Sequence, residues 1–147
     1  MGFDNFFSGE MLVFCLKIFF ASISGLLIGL EREIKGKSAG LKTNALVSLG
    51  ACVFVIVSLK FQGEQYADVT RVLSQVVTGV GFLGAGVILQ QQNKIKGLTT
   101  AATIWCSAGA GCLAATAMYS ELIIFAICVI VINIVFGFVD AKIENRR

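Results

Sequence analysis

The sequence contains no histidine and no proline, and charged residues make up only 14% of its 147 positions. Without histidine, the chain lacks the commonest metal ligand and the usual acid–base group near neutral pH. A soluble domain of this length carries more charge, typically about 25%. Glycine, by contrast, reaches 16 residues. Because glycine weakens helices in water but lets membrane helices approach closely, this composition favours a membrane protein.

Five apolar stretches, separated by short polar loops, fill most of the sequence. Each is close to the length of about 20 residues with which a helix crosses the hydrocarbon core of a bilayer. The stretches are Met11–Leu30, Thr43–Leu59, Val72–Leu89, Leu98–Tyr119 and Leu122–Val139. The pattern predicts an all-α, polytopic integral membrane protein with five transmembrane helices, forming a single transmembrane domain over residues 1–147.

The loops alternate between rich and poor in lysine and arginine. The basic residues of the first loop, the third loop and the C-terminal tail are Arg32, Lys35, Lys37, Lys42, Lys94, Lys96, Lys142, Arg146 and Arg147. The N-terminal tail and the loop around Ser120 have none, and the second loop has only its flanking Lys60 and Arg71. Since basic loops stay in the cytoplasm, we expect the N-terminus outside and the C-terminus inside.

The cysteines fall inside the apolar stretches and form no CxxC motif. They are Cys15, Cys52, Cys106, Cys112 and Cys128. A reduced, inert cysteine behaves as a small hydrophobic residue, which is the role expected here. We expect no metal site, no cofactor and no catalytic residue, because no nucleophile–base pair is evident. The small positive charge of +3 comes from the loops, and no nucleic-acid surface is expected.

Glycines indicate which helices pack closely. The expected helix-packing glycines are Gly25, Gly29, Gly79, Gly81, Gly84, Gly86, Gly109 and Gly111. They lie in the first, third and fourth stretches, so these helices are predicted to form the centre of the bundle. The same faces could join copies of the chain, and a homo-oligomer, with a dimer favoured, is the second interpretation.

The fifth stretch is mostly Ile, Val and Phe, as expected for a helix that faces lipid. Its exceptions share one helical face, and they are Ala126, Asn133, Gly137 and Asp140. We therefore expect the fifth helix outside the centre, packed through that face.

Polar residues gather at the predicted cytoplasmic ends of the helices. The candidates at these ends are Glu31, Arg32, Glu33, Asn44, Gln90, Gln91, Gln92, Thr99, Thr100, Thr103 and Asp140. One interpretation is that they cap helices and hold the loops. The other is that they converge on a binding vestibule at a cytoplasmic mouth.

Three further candidates lie towards the opposite side. Arg71 and Gln75 are one turn apart on a helix face, and candidate ion-pair partners of Arg71 are Glu64, Asp68 and Glu121. Lys17 lies within the first stretch, about two turns from its outer end. It is expected either to extend outward to Glu10 or to serve a solute pathway. No carboxylate lies inside any stretch, which argues against transport coupled to a midplane acid.

Four blocks of the sequence resemble the MgtC/SapB family of bacterial inner-membrane proteins. They are GLLIGLERE (Gly25–Glu33), AGLKTNALVSLGACVF (Ala39–Phe54), RVLSQVVTGVGFLGAGVIL (Arg71–Leu89) and KGLTTAATIWCSAGAG (Lys96–Gly111), and they run in the family's order. The resemblance implies a multi-pass protein of the bacterial plasma membrane with a five-helix domain. The family pattern highlights Glu31, Arg32, Gly40, Thr43, Asn44, Arg71, Gln75, the run from Gly79 to Gly86, Gly97 and Thr100.

What the resemblance implies about function is less specific than what it implies about fold. MgtC-type members are associated with growth in low magnesium, intracellular survival and inhibition of the F-type ATP synthase, and are not established magnesium transporters. This sequence has Thr99 and Gln91 where the MgtC pattern has Asn and an acidic residue. It also ends at Arg147, before the position of the cytosolic C-terminal domain of that pattern. These departures imply a SapB-like member.

Two functions remain open at this point. The first is a non-enzymatic membrane protein that regulates another membrane complex or ion homeostasis, through a partner protein in the lipid bilayer. The alternative is a homo-oligomeric channel or transporter for an ion or small solute. An enzyme is the least favoured class.

Overall fold

The computed structural model describes residues 9–63, 68–91 and 94–144. Across these residues the chain forms five helices and a short β-hairpin. The helices are α1 (Gly9–Ile34), α2 (Leu41–Leu59), α3 (Val69–Gly86), α4 (Leu98–Ala115) and α5 (Tyr119–Glu144). The antiparallel strands β1 (Leu89–Gln91) and β2 (Lys94–Lys96) join α3 to α4, with Leu89 opposite Lys96. The predicted helical class is confirmed, and each apolar stretch forms one helix.

Some helix ends differ from the prediction. Helix α3 ends at Gly86 instead of Leu89, because the chain turns into the hairpin, so Gln90 lies in β1 and does not close the helix. Helix α4 ends at Ala115 instead of Tyr119, and Ala117 follows in the left-handed region with φ 58°. The loop before α4 also needs a left-handed residue, which Gly97 supplies with φ 93°.

Four of the described helices are long and apolar enough to cross a membrane: α1, α2, α4 and the part of α5 from Tyr119 to Val139. Helix α3 is not among them, and its first two turns carry the polar residues Thr70, Arg71, Ser74 and Gln75. The fifth crossing and the alternating topology therefore stay predictions.

The centre of the bundle consists of α1, α2 and α4, and the prediction that α3 would take the place of α2 is wrong. Helix α3 packs on α4 and less extensively on α2. The reason is that α2 has a buried face of small side chains, which includes Ser48, Ala51 and Cys52. A prediction based on glycine positions alone does not detect this face. Close approach of helices depends on small side chains in general, and not on glycine alone.

The glycines of α1 and one glycine of α4 fit the prediction. A Cβ atom added at Gly25 would lie 2.6 Å from the carbonyl oxygen of Asn44, and one at Gly29 would lie 2.7 Å from that of Gly40. At Gly111, an added Cβ would overlap the carbonyl oxygen of Ser48. These three glycines allow the backbones of α1 and α4 to touch the backbone at the start and middle of α2.

The other predicted packing glycines have more space. An added Cβ at Gly84 would make an ordinary contact of 3.4 Å with the Cβ of Ala101, and one at Gly109 would lie 3.6 Å from the Phe125 ring. Gly79, Gly81 and Gly86 have no atom within 4 Å of an added Cβ among the parts of the chain that are described. The structure therefore does not show close helix packing at these three glycines within the chain.

Helix α5 lies outside the centre and packs on α1 and α4. Leu122 and Ala126 are buried, whereas Ile124 is 64% exposed on the opposite face. Asn133 and Gly137 lie next to Lys35, which directly follows α1, so the predicted contact face is correct at these positions. The side chain of Asp140 lies outside the described residues.

Candidate functional site

Charged and polar side chains meet where α1 ends and α4 begins. We call this group the polar cluster, and its members are Glu31, Arg32, Lys35, Thr100, Thr103 and Asn133. The last turn of α1 supplies Glu31 and Arg32, and Lys35 follows directly after this helix. The first turns of α4 supply the threonines, and α5 supplies the asparagine. The sequence therefore correctly predicts that Glu31, Arg32, Thr100 and Thr103 converge at one end of the bundle.

Arg32 is the most deeply placed cation of the cluster. Its side chain is 5% exposed, and Nη2 donates a hydrogen bond to Oγ1 of Thr100, which is itself buried. Nε of Arg32 is buried and has no hydrogen-bond partner among the described residues. Burying a guanidinium away from water costs free energy unless its donors are satisfied. This arginine therefore holds α1 against α4 at an energetic cost, which is typical of a residue retained for function.

Glu31, in the last turn of α1, forms a salt bridge with Lys35, which lies four positions further on in the turn after the helix, with 2.6 Å between Nζ and Oε1. Nζ of Lys35 also donates a hydrogen bond of 3.3 Å to the backbone oxygen of Asn133, and it lies 5.2 Å from the centre of the Phe138 ring. These contacts join α1 to α5. The second carboxylate oxygen of Glu31, Oε2, is buried without a partner among the described residues.

A chain of hydrogen bonds extends from the polar cluster towards α2. Asn133 Nδ2 donates to Thr103 Oγ1 over 3.4 Å, and the Thr103 hydroxyl donates to the Thr99 carbonyl oxygen over 2.8 Å. One turn further along α4, the Ser107 hydroxyl donates to Asn44 Oδ1 over 2.7 Å. The buried polar side chains of α4 therefore bind neighbouring helices and do not line an open passage.

The side chain of Asn44 connects α2 both to the residues just before this helix and to α4. Its Nδ2 donates to the carbonyl oxygens of Ala39 and Gly40, over 2.6 and 2.9 Å, and the side chain is completely buried. Glu33, which is exposed, accepts a hydrogen bond of 3.1 Å from the backbone N–H of Leu41 and so caps the same helix. Both residues act as the capping interpretation predicts.

Two predicted residues of this end, Thr99 and Gln90, do not join the polar cluster. Thr99 has an exposed side chain and contributes only its carbonyl oxygen. Gln90 is exposed in β1, and Gln92 lies outside the described residues, as do the side chains of Gln91 and Asp140. Arg32, Thr100 and Thr103 are buried and hydrogen-bonded to protein groups.

Arg71 and Gln75 lie far along α3 from the cluster, and both are exposed. Among the described residues, Arg71 forms no salt bridge with Asp68 or Glu121, and Glu64 lies outside those residues. Asp68 caps α3 instead, because its Oδ1 accepts hydrogen bonds from the backbone N–H and the hydroxyl of Thr70, over 2.9 and 2.6 Å. These hydrogen bonds, and to a smaller extent the charge of Arg71, hold the pKa of Asp68 below its usual range.

Two cavities flank α2. A groove of about 520 Å³ between α2 and α3 is lined by apolar side chains and Gln75. A second cavity, of about 880 Å³, lies between α1 and α2 and contains Lys17. Lys17 is half-buried, and it forms no salt bridge with Glu10 or another described carboxylate, contrary to the predicted pairing.

Lys35 and the buried serines are residues of this site that the sequence pattern does not single out. From the sequence, Lys35 is predicted only to be one of the basic residues of the first loop. Its spacing of four residues from Glu31 could have indicated the salt bridge. Ser48 donates a hydrogen bond of 2.8 Å to the carbonyl oxygen of Ala21, which ties α2 to α1. The position of Ser48 among other small residues of α2 could have indicated this contact. Within the described part of the chain, the His, Cys, Asp and Glu residues form no group of three that could hold a metal ion.

Comparison with known proteins gives a consistent result. An uncharacterized protein from Synechocystis is 43% identical over 119 residues, which is 81% of this chain and 50% of that protein. A protein from Brucella abortus named MgtC is 42% identical over 113 residues, covering 77% of this chain and 47% of its own length. A protein of the same name from Salmonella typhimurium is 40% identical over 124 residues, covering 84% and 52% respectively.

The chain therefore spans about half the length of the curated relatives it matches. No solved structure is similar enough to add a comparison of folds. The pattern that defines the MgtC family matches residues 18–142, which include all five helices in whole or large part. The chain belongs to the MgtC family.

Proposed function

We propose that this protein is a non-enzymatic, integral protein of the bacterial inner membrane that regulates another membrane protein, in the context of ion homeostasis under stress or low magnesium. The observation that supports this proposal most directly is the polar cluster. Arg32, Thr100 and Thr103 are at most 5% exposed and hydrogen-bonded to protein groups. Polar groups used in this way stabilise one arrangement of helices, whereas a conducting pore needs polar groups that face water.

The exposed face of α3 supports a role in binding. Phe82 is 81% exposed, and Gly79, Gly81 and Gly86 leave open space beside it. In lipid, small residues on an exposed helix face allow another helix to approach closely. We propose that α3 crosses the membrane as a fifth span and that this face contacts another helix, either of a partner membrane protein or of a second copy in a dimer.

Crosslinking in intact membranes tests this proposal. In a cysteine-free background, a cysteine replacing Gly81 on α3 is compared with one replacing Ile124, which is exposed on α5. We expect crosslinked products from the α3 position only, and mass spectrometry identifies them as the chain itself or another protein. Products at neither position, or equal products at both, would contradict a contact surface on α3.

The proposed topology is tested separately. Reporter domains fused to the N-terminus and the C-terminus report which side of the membrane each end occupies. Five crossings require the two ends to lie on opposite sides, with the lysine- and arginine-rich C-terminal side in the cytoplasm. Both ends on the same side would mean that α3 does not cross.

One observation favours transport as a second candidate function. Glu31 Oε2 and Arg32 Nε are buried without a partner among the described residues. Ionisable groups in this condition often mark ion pathways in membrane proteins. The test is flux of Mg²⁺, K⁺ or protons into proteoliposomes, with Glu31→Gln compared with Lys17→Ala and Arg71→Ala. Flux that requires Glu31 would favour transport, and the absence of flux would support the regulatory function.

A further inference from the structure

The cavity between α1 and α2 combines apolar walls with an excess of positive charge. Its walls come from both helices and consist of Gly9, Met11, Val13, Phe14, Ile56, Val57 and Leu59. Among the described residues of the lining, the charged groups are Lys17, Lys60 and one carboxylate, Glu10. The three charges sum to one positive charge, so the cavity attracts an anion with an apolar part.

Lys17 is placed unusually for a lysine. At about 1.5 Å per residue, it lies roughly 12 Å along α1 from Gly9, within a helix that is long and apolar enough to span a membrane. Its side chain is half-buried and forms no salt bridge with any described residue. An ionisable group at such a depth is costly unless an opposite charge lies in direct contact with it, and no described carboxylate lies within salt-bridge distance of Lys17.

We propose that this cavity binds one anionic phospholipid. The phosphate lies between Lys17 and Lys60, and an acyl chain follows the apolar wall that contains Phe14 and Val57. A bare metal cation does not fit, because two ammonium groups outnumber one carboxylate. A small soluble anion would leave the apolar walls unused. A zwitterionic lipid brings its own cation, which the lysines repel.

Native mass spectrometry of the full chain in mild detergent tests the proposal. The protein is offered phosphatidylglycerol and phosphatidylcholine with identical acyl chains. We expect one phosphatidylglycerol molecule to be retained in preference to phosphatidylcholine. Lys17→Gln should lower this preference about tenfold, because a charge-assisted hydrogen bond in a site of low dielectric constant is lost. Lys17→Arg should keep the preference.

Two controls separate the site from a general effect of charge. Lys142→Gln removes the same charge from an exposed position in the last turn of α5 and should leave lipid retention unchanged. Val57→Trp should narrow the cavity and reduce retention of both lipids. If Lys17→Gln does not fold, Lys60→Gln provides the same comparison.

Equal retention of both lipids by the wild-type protein would overturn the proposal. So would a preference for phosphatidylglycerol that survives both Lys17→Gln and Lys60→Gln, since Lys17 would then only extend towards water. The measurement does not depend on whether the protein regulates a partner, because it needs neither a partner nor an assay of function.

Discussion

Substitution of Gly111 by alanine tests the packing at the centre of the bundle. Gly111 is buried where α4 crosses α2, and an added Cβ would overlap the carbonyl oxygen of Ser48 and lie 3.1 Å from the Cβ of Ala51. The obstructing oxygen belongs to the backbone of α2, so no side-chain rotation can remove it. The two helices must therefore separate to accommodate the added methyl group.

The magnitude follows from two opposing effects. Overpacking a well-packed interface costs about 1–3 kcal/mol, and a backbone obstruction belongs at the upper end of that range. Replacing glycine by alanine inside a helix returns up to about 1 kcal/mol through helix propensity. We therefore expect Gly111→Ala to lower the free energy of unfolding by about 2 kcal/mol.

Gly81→Ala is the matched control, because Gly81 is exposed in the interior of α3 and has open space beside it. The same propensity gain applies there without the obstruction, so its free energy of unfolding should be unchanged or raised by up to about 1 kcal/mol. The assay is unfolding of both variants in mixed micelles with increasing dodecyl sulfate, followed by circular dichroism. Equal stability of the two variants would refute the close contact of α4 with α2.

Three further predictions concern polar groups. Asn44→Ala should lower the free energy of unfolding by about 1–3 kcal/mol in the same assay, since buried acceptors and the Ser107 hydroxyl lose their partner; unchanged stability would contradict the buried hydrogen bonds. Arg32→Ala should destabilise more than Arg32→Met, which keeps the packing volume without the charge, and an equal loss of stability in both variants would show that the guanidinium itself stabilises the bundle. Because the pKa of Asp68 is lowered by folding, its stabilisation of α3 is present above the unfolded pKa of this carboxyl and is lost as the pH falls through the lower folded pKa. The protection of the first-turn amides of α3 against hydrogen exchange, taken relative to the intrinsic exchange rate at each pH, should therefore fall at acid pH in the wild-type protein but not in Asp68→Asn, and an equal fall in both would exclude the cap as the cause.

The sequence predicts the helices well because each apolar stretch is long and uninterrupted. It also predicts the meeting of Glu31 and Arg32 with Thr100, because each of these residues lies at a helix end on the same predicted side. It does not predict which helix occupies the centre. Glycines are conspicuous in α3, but the buried face of α2 uses Ser48 and Cys52, and such residues look unremarkable in an apolar stretch.

The remaining differences also have physical causes. The hairpin is only three residues per strand, too short for a periodic pattern to indicate it. The partner of Lys17 is not encoded by spacing, since Glu10 is seven positions away on the same helix but forms no salt bridge with it in the described structure. Contacts between distant segments, such as that of Lys35 with Asn133, depend on how the helices are arranged and cannot be read from either segment alone.

The hydrogen bonds of Asn44 have a consequence for the order of assembly. Both donors of this amide bind oxygens just upstream in the same segment, those of Ala39 and Gly40, so they can be satisfied before any other helix is present. Only Oδ1 of Asn44 needs a partner from another helix, the Ser107 hydroxyl of α4, which is synthesised later. The newly made α2 can thus enter the lipid with only one side-chain acceptor of Asn44 unsatisfied. That acceptor gains its hydrogen bond when α4 packs against α2.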